Sequence, residues 1–197
     1  AALGDAADTG PERYGLSWKG KAECIRLAQR PSSATLLPDR EASVDWDTTE
    51  NLVIEGDNLE VLKLLQRGYA GKVKLIYIDP PYNTGNKDWV YNDHYVGAND
   101  RWRHSQWLEF LYRRLLLARD LLSSDGVLLV SINDENRARL EMLLDEVMPG
   151  RRVGSFVWKT RSGSNDESGA RFSVDHEYVL VYANGNFSFR GELKDFS

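Results

Sequence analysis

The 197-residue sequence predicts an α/β domain with a mainly parallel central sheet flanked by helices. Three observations carry this reading. Short, β-branched apolar runs alternate with longer segments whose leucines step by three and four. The run Val127–Ile132 is apolar enough to be buried on both faces, as strands of a parallel sheet are. The sharpest polar signals, Asp57, Asp79 and Asn133, each stand just past an apolar run, where ligands bind in such sheets.

Residues 1–48 read as an N-terminal extension, because Gly4, Gly10, Pro11, Gly15, Gly20, Pro31 and Pro38 interrupt any pattern. A short helix is expected near Ala22–Gln29. Residues 49–197 form the main unit. Leu52-Val53-Ile54 predicts a strand that turns at Glu55-Gly56-Asp57. Leu59, Val61, Leu62 and Leu65 then predict a helix up to Gly68. Val73–Ile78 is a second strand, bounded by Gly71 and Pro80. A loop of about twenty residues follows to Asp100, a length that signals function or disorder in a compact domain. Leu108, Leu111, Leu115, Ala118 and Leu122 mark a long amphipathic helix. Asp125-Gly126 turns the chain into the strand Val127–Ile132. Asn133 or Asp134 caps the next helix, whose core face is Leu140, Leu143, Leu144 and Val147. Pro149-Gly150 ends it. Val153–Lys159 and His176–Tyr182 are further strands, separated by a polar, Gly/Ser-rich loop over Arg161–Phe172.

Composition removes several classes of function. No apolar run reaches the roughly 18 residues of a membrane-spanning helix. The start Ala1-Ala2-Leu3-Gly4-Asp5 lacks the basic and apolar parts of a secretory signal. Cys24 is the single cysteine, so no internal disulfide forms and a reducing cytoplasm is expected. With His94, His104 and His176 dispersed, no metal-site spacing exists. There is no G-x-S-x-G elbow and no Gly-Lys phosphate loop. The net charge of −5 argues mildly against nucleic acid. Local clusters temper that: Arg101, Arg103, Arg113, Arg114 and Arg119 in one stretch, and Arg151, Arg152, Lys159, Arg161 and Arg171 in another. The plainer interpretation of both clusters is a solvated helix or loop face.

The informative segment is Leu75-Ile76-Tyr77-Ile78-Asp79-Pro80-Pro81-Tyr82-Asn83-Thr84-Gly85. A buried strand delivers an acid, two prolines and an aromatic ring into a loop. Each proline fixes φ and offers no N–H, so the carbonyls there sit in a stiff turn as acceptors. Ionised Asp79 only accepts, and Tyr82 supplies a flat face. A carboxylate, a carbonyl and a ring together suit a planar heterocycle bearing an NH2 group.

Asp79-Pro80-Pro81-Tyr82 resembles the D-P-P-Y motif of amino-methyltransferases that act on adenine N6. With its flanks it is similar to the permuted β class, and to the Mod subunits of type III restriction-modification systems. Asn51–Leu65, Ser123–Asn136 and His176-Glu177-Tyr178-Val179-Leu180-Val181-Tyr182-Ala183 resemble further segments of that class in its order, so the likeness covers residues 50–185. It implies a Rossmann-like methyltransferase fold in permuted order, of which residues 49–197 are the catalytic half. It also implies methyl transfer from S-adenosylmethionine to N6 of a flipped-out adenine, with Asp79, Pro80, Pro81 and Tyr82 catalytic and with Asp57, Asn58 and Asp79 at the cofactor. The implied partners are double-stranded DNA, a restriction subunit and a second copy of the chain. Lys159, Arg161 and Arg171 are candidates to grip DNA phosphates. Trp89 and Tyr91 are candidates to cover the base.

Alternatives stand beside several of these. Asp57-x-x-Glu60 is also a helix capping box. Tyr178, Tyr182 and His176 line a base pocket or simply pack, as alternation along a strand allows. Cytosine N4, an RNA adenine or a protein amide are alternative acceptors, although related motifs there tend to begin with Ser or Asn. A non-catalytic DNA-binding or scaffolding role is a third reading. The family's F-x-G-x-G cofactor segment is not found, so the resemblance implies an incomplete sheet and weak cofactor binding by this piece alone.

Overall fold

The computed structural model describes residues 15–84, 103–160, 174–189 and 191. Helix α1 (Lys21–Gln29) follows Gly20, whose φ of 101° suits glycine. It buries Cys24 and Ala28 and packs on α3 (Arg103–Leu121). Trp18 meets Tyr112 of α3 edge-on at 5.1 Å. Part of the extension is therefore docked on the core, and its helix lies where the sequence places it.

Helix α2 (Asn58–Tyr69) leads into β1 (Val73–Ile78), and α3 leads directly into β2 (Leu122–Ile132). Helix α4 (Asp134–Val147) follows, then β3 (Arg152–Lys159) and β4 (His176–Ala183). The sheet order is β1-β2-β4-β3. Leu128, Val130 and Ile132 of β2, Leu180 and Tyr182 of β4, and Ile76 and Ile78 of β1 join α1, α3 and α4 in one core. The four helix positions Leu140, Leu143, Leu144 and Val147 are fully buried there. On the opposite face, among the described residues, Val127, Val181 and Ala183 form a small cluster, with Leu129 and Phe187 against it. No helix among the described residues is long and apolar enough to cross a membrane.

The sheet is mixed but mainly parallel, as expected: β1, β2 and β3 run in the same direction, and β4 lies antiparallel between β2 and β3. Strand–helix–strand order holds for β1-α3-β2 and for β2-α4-β3. After α4 two strands follow with no described helix between them, and they pair as antiparallel neighbours. Three other expectations need correction. Leu52-Val53-Ile54 is not a strand. Among the described residues no strand lies outside β1 to receive it, and Val53 is 99% exposed. Two members of the first arginine cluster do not lie on a solvated face: Arg113 and Arg114 expose only 12% and 9% of their side chains, whereas Arg119 exposes 40%.

Asp125-Gly126 lies inside β2 rather than before it. Val73 pairs with Leu122 and Leu75 with Val127, so Ser123–Gly126 bulges outward. A Cβ on Gly126 would meet the Val73 carbonyl oxygen at 2.9 Å, so the close approach requires glycine. Asn184 fastens the bulge, its backbone N–H donating to the Gly126 carbonyl and its Nδ2 to that of Ser123.

Candidate active site

The topology gathers four chain segments at one end of the sheet. Parallel pairing aligns Ile78 with Val130, so Asp79 and Asn133 emerge on the same side. Antiparallel pairing sets Ile132 beside Tyr178, which brings the start of β4 there. Lys159, at the end of β3, pairs with His176. Sequence reasoning picked Asp79, Asn133 and the H-E-Y segment separately; the sheet brings them together.

The corner after β1 is held by its backbone. Pro81 offers its carbonyl to the indole N–H of Trp107 at 2.6 Å. Tyr82 offers its carbonyl to Asn136 Nδ2 at 2.7 Å. Both donors are fully buried. Trp107 reaches the corner from α3. Asn136 sits in the first turn of α4, where the Asn133 side chain accepts from its N–H at 3.2 Å. A capped helix therefore aims the amide that fixes the loop. Asn83 then turns the chain left-handed at φ 57°, a conformation asparagine tolerates better than most residues. Its buried side chain meets His104 Nδ1 at 3.0 Å. Burial lowers the His104 pKa, with help from Arg139 and Arg103. In the tautomer protonated on Nε2, the neutral ring offers the Asn83 amide a lone pair at Nδ1.

Two further acceptors stand at the corner, the Asp79 carboxylate, which the Tyr82 hydroxyl faces, and the carbonyl of buried Pro80. Asp79 is exposed. Among the described residues no donor is bonded to the Pro80 carbonyl. Tyr82 is half-buried, packed against the core along its ring. Its hydroxyl donates to Glu177 Oε2 at 3.1 Å. Burial raises the phenol pKa, as do the nearby carboxylates of Asp79 and Glu177. The side chain therefore stays neutral at physiological pH.

Asp57 and Asn58 are more fully engaged. Asp57 Oδ1 accepts from the N–H groups of Leu59 and Glu60 at 2.9 and 3.2 Å, capping α2. Its Oδ2 lies 3.7 Å from Arg114 Nη2. Asn58 Oδ1 accepts from Arg114 Nε at 2.5 Å. Arg114 also stacks over Phe110 at 3.8 Å and donates to its carbonyl.

Tyr182 packs: it is fully buried, and its hydroxyl donates to Asp145 at 2.7 Å. Tyr178 is half-buried, bonded to His176 Nε2 at 2.8 Å and covered by Arg137 at 3.9 Å. Lys159 is exposed. Arg161, Arg171, Trp89 and Tyr91 lie outside the described residues. Sequence reasoning missed Trp107, Asn136, His104 and Glu177. Only Glu177 carried a local signal, through its place in the H-E-Y segment.

A family model described as DNA methylase matches residues 73–193, more than half of the chain. The chain belongs to the DNA methylase family. The match begins at β1 and runs through every residue of the corner just described. This methylase chain is 35% identical to the Mod subunit of the type III restriction-modification enzyme EcoP15I of Escherichia coli, over 93% of its own length and 32% of the relative's. It is 39% identical to the EcoPI Mod subunit of Escherichia phage P1, over 87% and 30%. With the StyLTI Mod subunit of Salmonella typhimurium it shares 37% over 86% and 30%. The chain thus spans about a third of the length of these relatives.

Proposed function

We propose that this methylase transfers a methyl group from S-adenosylmethionine to N6 of an adenine flipped out of double-stranded DNA. In this reading it acts as the modification component of a restriction-modification system in the cytoplasm. Residues 49–197 are its catalytic half, and residues 1–48 are an N-terminal extension whose helix α1 packs on α3. One observation carries the proposal. The corner commits its Pro81 and Tyr82 carbonyls to buried donors, and it presents the exposed Asp79 carboxylate beside the Tyr82 side chain.

The amine of adenine is a weak nucleophile because its lone pair is delocalised into the ring. Asp79 and the Pro80 carbonyl each accept one N6–H. That favours the positive charge that grows on nitrogen, and it orients the lone pair. Interactions that strengthen in the transition state accelerate the step, and positioning adds to them. S-adenosylmethionine supplies, when bound, an electrophilic methyl on sulfur. The proton leaves N6 during or after transfer, when the nitrogen has become acidic. Flipping costs a few kcal/mol, and stacking on Tyr82 returns roughly 1–3 kcal/mol.

The residues present fit a donor with a charged amino-acid end. Exposed Asp79 offers a carboxylate to an ammonium, and the Asp57 side chain, half-exposed, stands beside Asn58. Lys159, Arg161 and Arg171 are the proposed phosphate contacts. A restriction subunit and a second copy of the chain are the proposed protein partners.

The test incubates the full-length gene product with DNA and S-adenosylmethionine, followed by mass spectrometry of the nucleosides. N6-methyladenine is the expected product. N4-methylcytosine would move the acceptor, and unmodified DNA would remove the enzymatic reading.

A further inference from the structure

An amide side chain has two unlike ends, an NH2 that donates and an oxygen that accepts. Asn136 is fully buried and uses both. Its Nδ2 donates to the Tyr82 carbonyl at 2.7 Å and approaches that of Asn83 at 3.5 Å. Its Oδ1 accepts at 3.2 Å from Nη1 of Arg139, three residues further along α4. A second bond from the same Nη1, to the Glu135 carbonyl at 3.2 Å, ties the guanidinium to the helix. We infer that Arg139 is a positioning residue: it sets which way the Asn136 amide faces, and through that amide it aims the backbone of the D-P-P-Y corner. The inference rests on the proposed methyl-transfer role of that corner and extends its control to an exposed side chain of α4.

Carbonyls only accept, and a guanidinium only donates. Placed at opposite ends of one amide, they leave a single orientation that satisfies both. Turning the amide over would set its oxygen against the Tyr82 carbonyl and its NH2 against a cation, so two bonds would become two repulsions. Buried polar groups left unpaired in this way are costly. Arg139 also acts within the correct orientation. A cation on Oδ1 draws electron density from the amide and sharpens Nδ2 as a donor, as linked hydrogen bonds do. The Asn133 side chain accepts only from the backbone N–H of Asn136, so it does not decide the orientation. Arg139 bears on the neighbouring contact as well. Burial lowers the His104 pKa, and the charges of Arg139 and Arg103 lower it further, against Glu135. His104 in turn meets the Asn83 side chain at 3.0 Å. One exposed guanidinium thus acts on both side chains that grip residues 82 and 83.

These contacts predict a pattern across variants that a surface charge alone does not. Arg139→Met keeps the stem and removes the donors. In the full-length gene product it should lower kcat by about three- to tenfold, the worth of one hydrogen bond. The salt dependence of DNA binding should stay as in the wild type. Arg139→Lys keeps an end that only donates and should recover most of the loss. In an Asn136→Leu background, Arg139→Met should cost nothing further in kcat. Additive losses in the double variant, or an Arg139→Lys variant as poor as Arg139→Met, would overturn the inference. So would a shallower salt dependence with kcat intact, which would make Arg139 a phosphate contact and nothing more. A crystal structure of the Arg139→Met chain gives a readout independent of turnover. The Asn136 amide should turn, and the Tyr82 carbonyl should move with it. An amide that still sits 2.7 Å from that carbonyl, as in the wild type, sinks the idea. A wild-type enzyme that transfers no methyl group removes the proposed function instead, and the variant structure still decides whether Arg139 sets the amide.

Discussion

Asp79 and Asp57 both follow apolar runs and both read as ligand-facing acids, but the fold treats them in opposite ways. Around Asp79 the buried side chains of Trp107 and Asn136 spend their donors on backbone carbonyls, and the carboxylate is left exposed. Around Asp57 the carboxylate itself is engaged, one oxygen by two helix N–H groups, while the other lies 3.7 Å from Arg114. The first arrangement is preorganised for something that arrives later. The second already serves the fold. A functional acid is therefore recognised less by its position after a strand than by how many of its lone pairs the protein has left over.

The largest expected effect follows at once. Asp79→Ala should lower methyl transfer by about a thousandfold or more, the scale of losing a group aimed at developing charge. Its melting temperature and its DNA affinity in a gel-shift titration should stay near wild type, because the side chain is exposed. A large fall in melting temperature would put Asp79 in the same structural class as Asp57 and erase the contrast.

Asn136→Leu comes next. It removes the donor to the Tyr82 carbonyl and leaves that carbonyl unsatisfied, at a cost of roughly 1–3 kcal/mol of stability. Small misplacements of a reacting corner can cost on the order of a hundredfold in rate, so kcat should fall together with the melting temperature. If stability drops and kcat holds, the clamp supports the fold and has no part in aiming the corner.

The Asp57 side of the comparison is tested through stability. Arg114→Met keeps the stem over Phe110 and deletes the charge that Asp57 and Asn58 face. About 1–3 kcal/mol should be lost, the range for a hydrogen-bonded charge with one half-exposed partner. Asp57→Ala should cost about 1 kcal/mol, as other lost helix caps do, and Asp57→Asn should restore the cap. A proposed cofactor role makes a different demand. If Asp57→Asn melts like wild type but raises the KM for S-adenosylmethionine, the acid serves both purposes. Unchanged KM leaves only the cap.

These contrasts also show what the sequence could and could not reveal. The helices were legible because their apolar stripes are local, and Leu140, Leu143, Leu144 and Val147 fall where the spacing puts them. D-P-P-Y was legible because stiffness and chemistry sit in four consecutive residues. The strand at Leu52–Ile54 was misread since a short apolar run forms a strand only when a neighbour pairs with it. The direction of β4 was equally hidden, being set by pairing across the sheet. Trp107, Asn136 and Glu177 act on the corner from 26, 54 and 95 positions away. An isolated Trp in an amphipathic helix reads as core, which it also is. Arg114 misled for a related reason: a cation in a basic stretch reads as solvated until its acidic partner is placed.

The smallest effect concerns how the corner is kept ready as pH falls. Asn83 donates toward His104 Nδ1, which requires a neutral ring with that nitrogen unprotonated. Burial depresses the His104 pKa below its ordinary value of 6.5, so the folded state resists protonation more than the unfolded chain does. The sign follows from linkage: this contribution is fully present above pH 6.5 and is lost as pH falls through the folded pKa. His104→Gln keeps an acceptor for the Asn83 amide and cannot titrate. Melting temperatures of the wild type and His104→Gln, measured from pH 8 down to about pH 5, should run parallel at the alkaline end. They should converge or cross below 6.5, where only the wild type must take up a proton against its surroundings. Because His104 and Asn83 hold the loop just past Tyr82, the wild-type kcat should decline over the same interval, and the variant's should not. Profiles that stay parallel throughout would mean that the His104–Asn83 contact carries no part of the corner's organisation, leaving Trp107 and Asn136 to hold it alone.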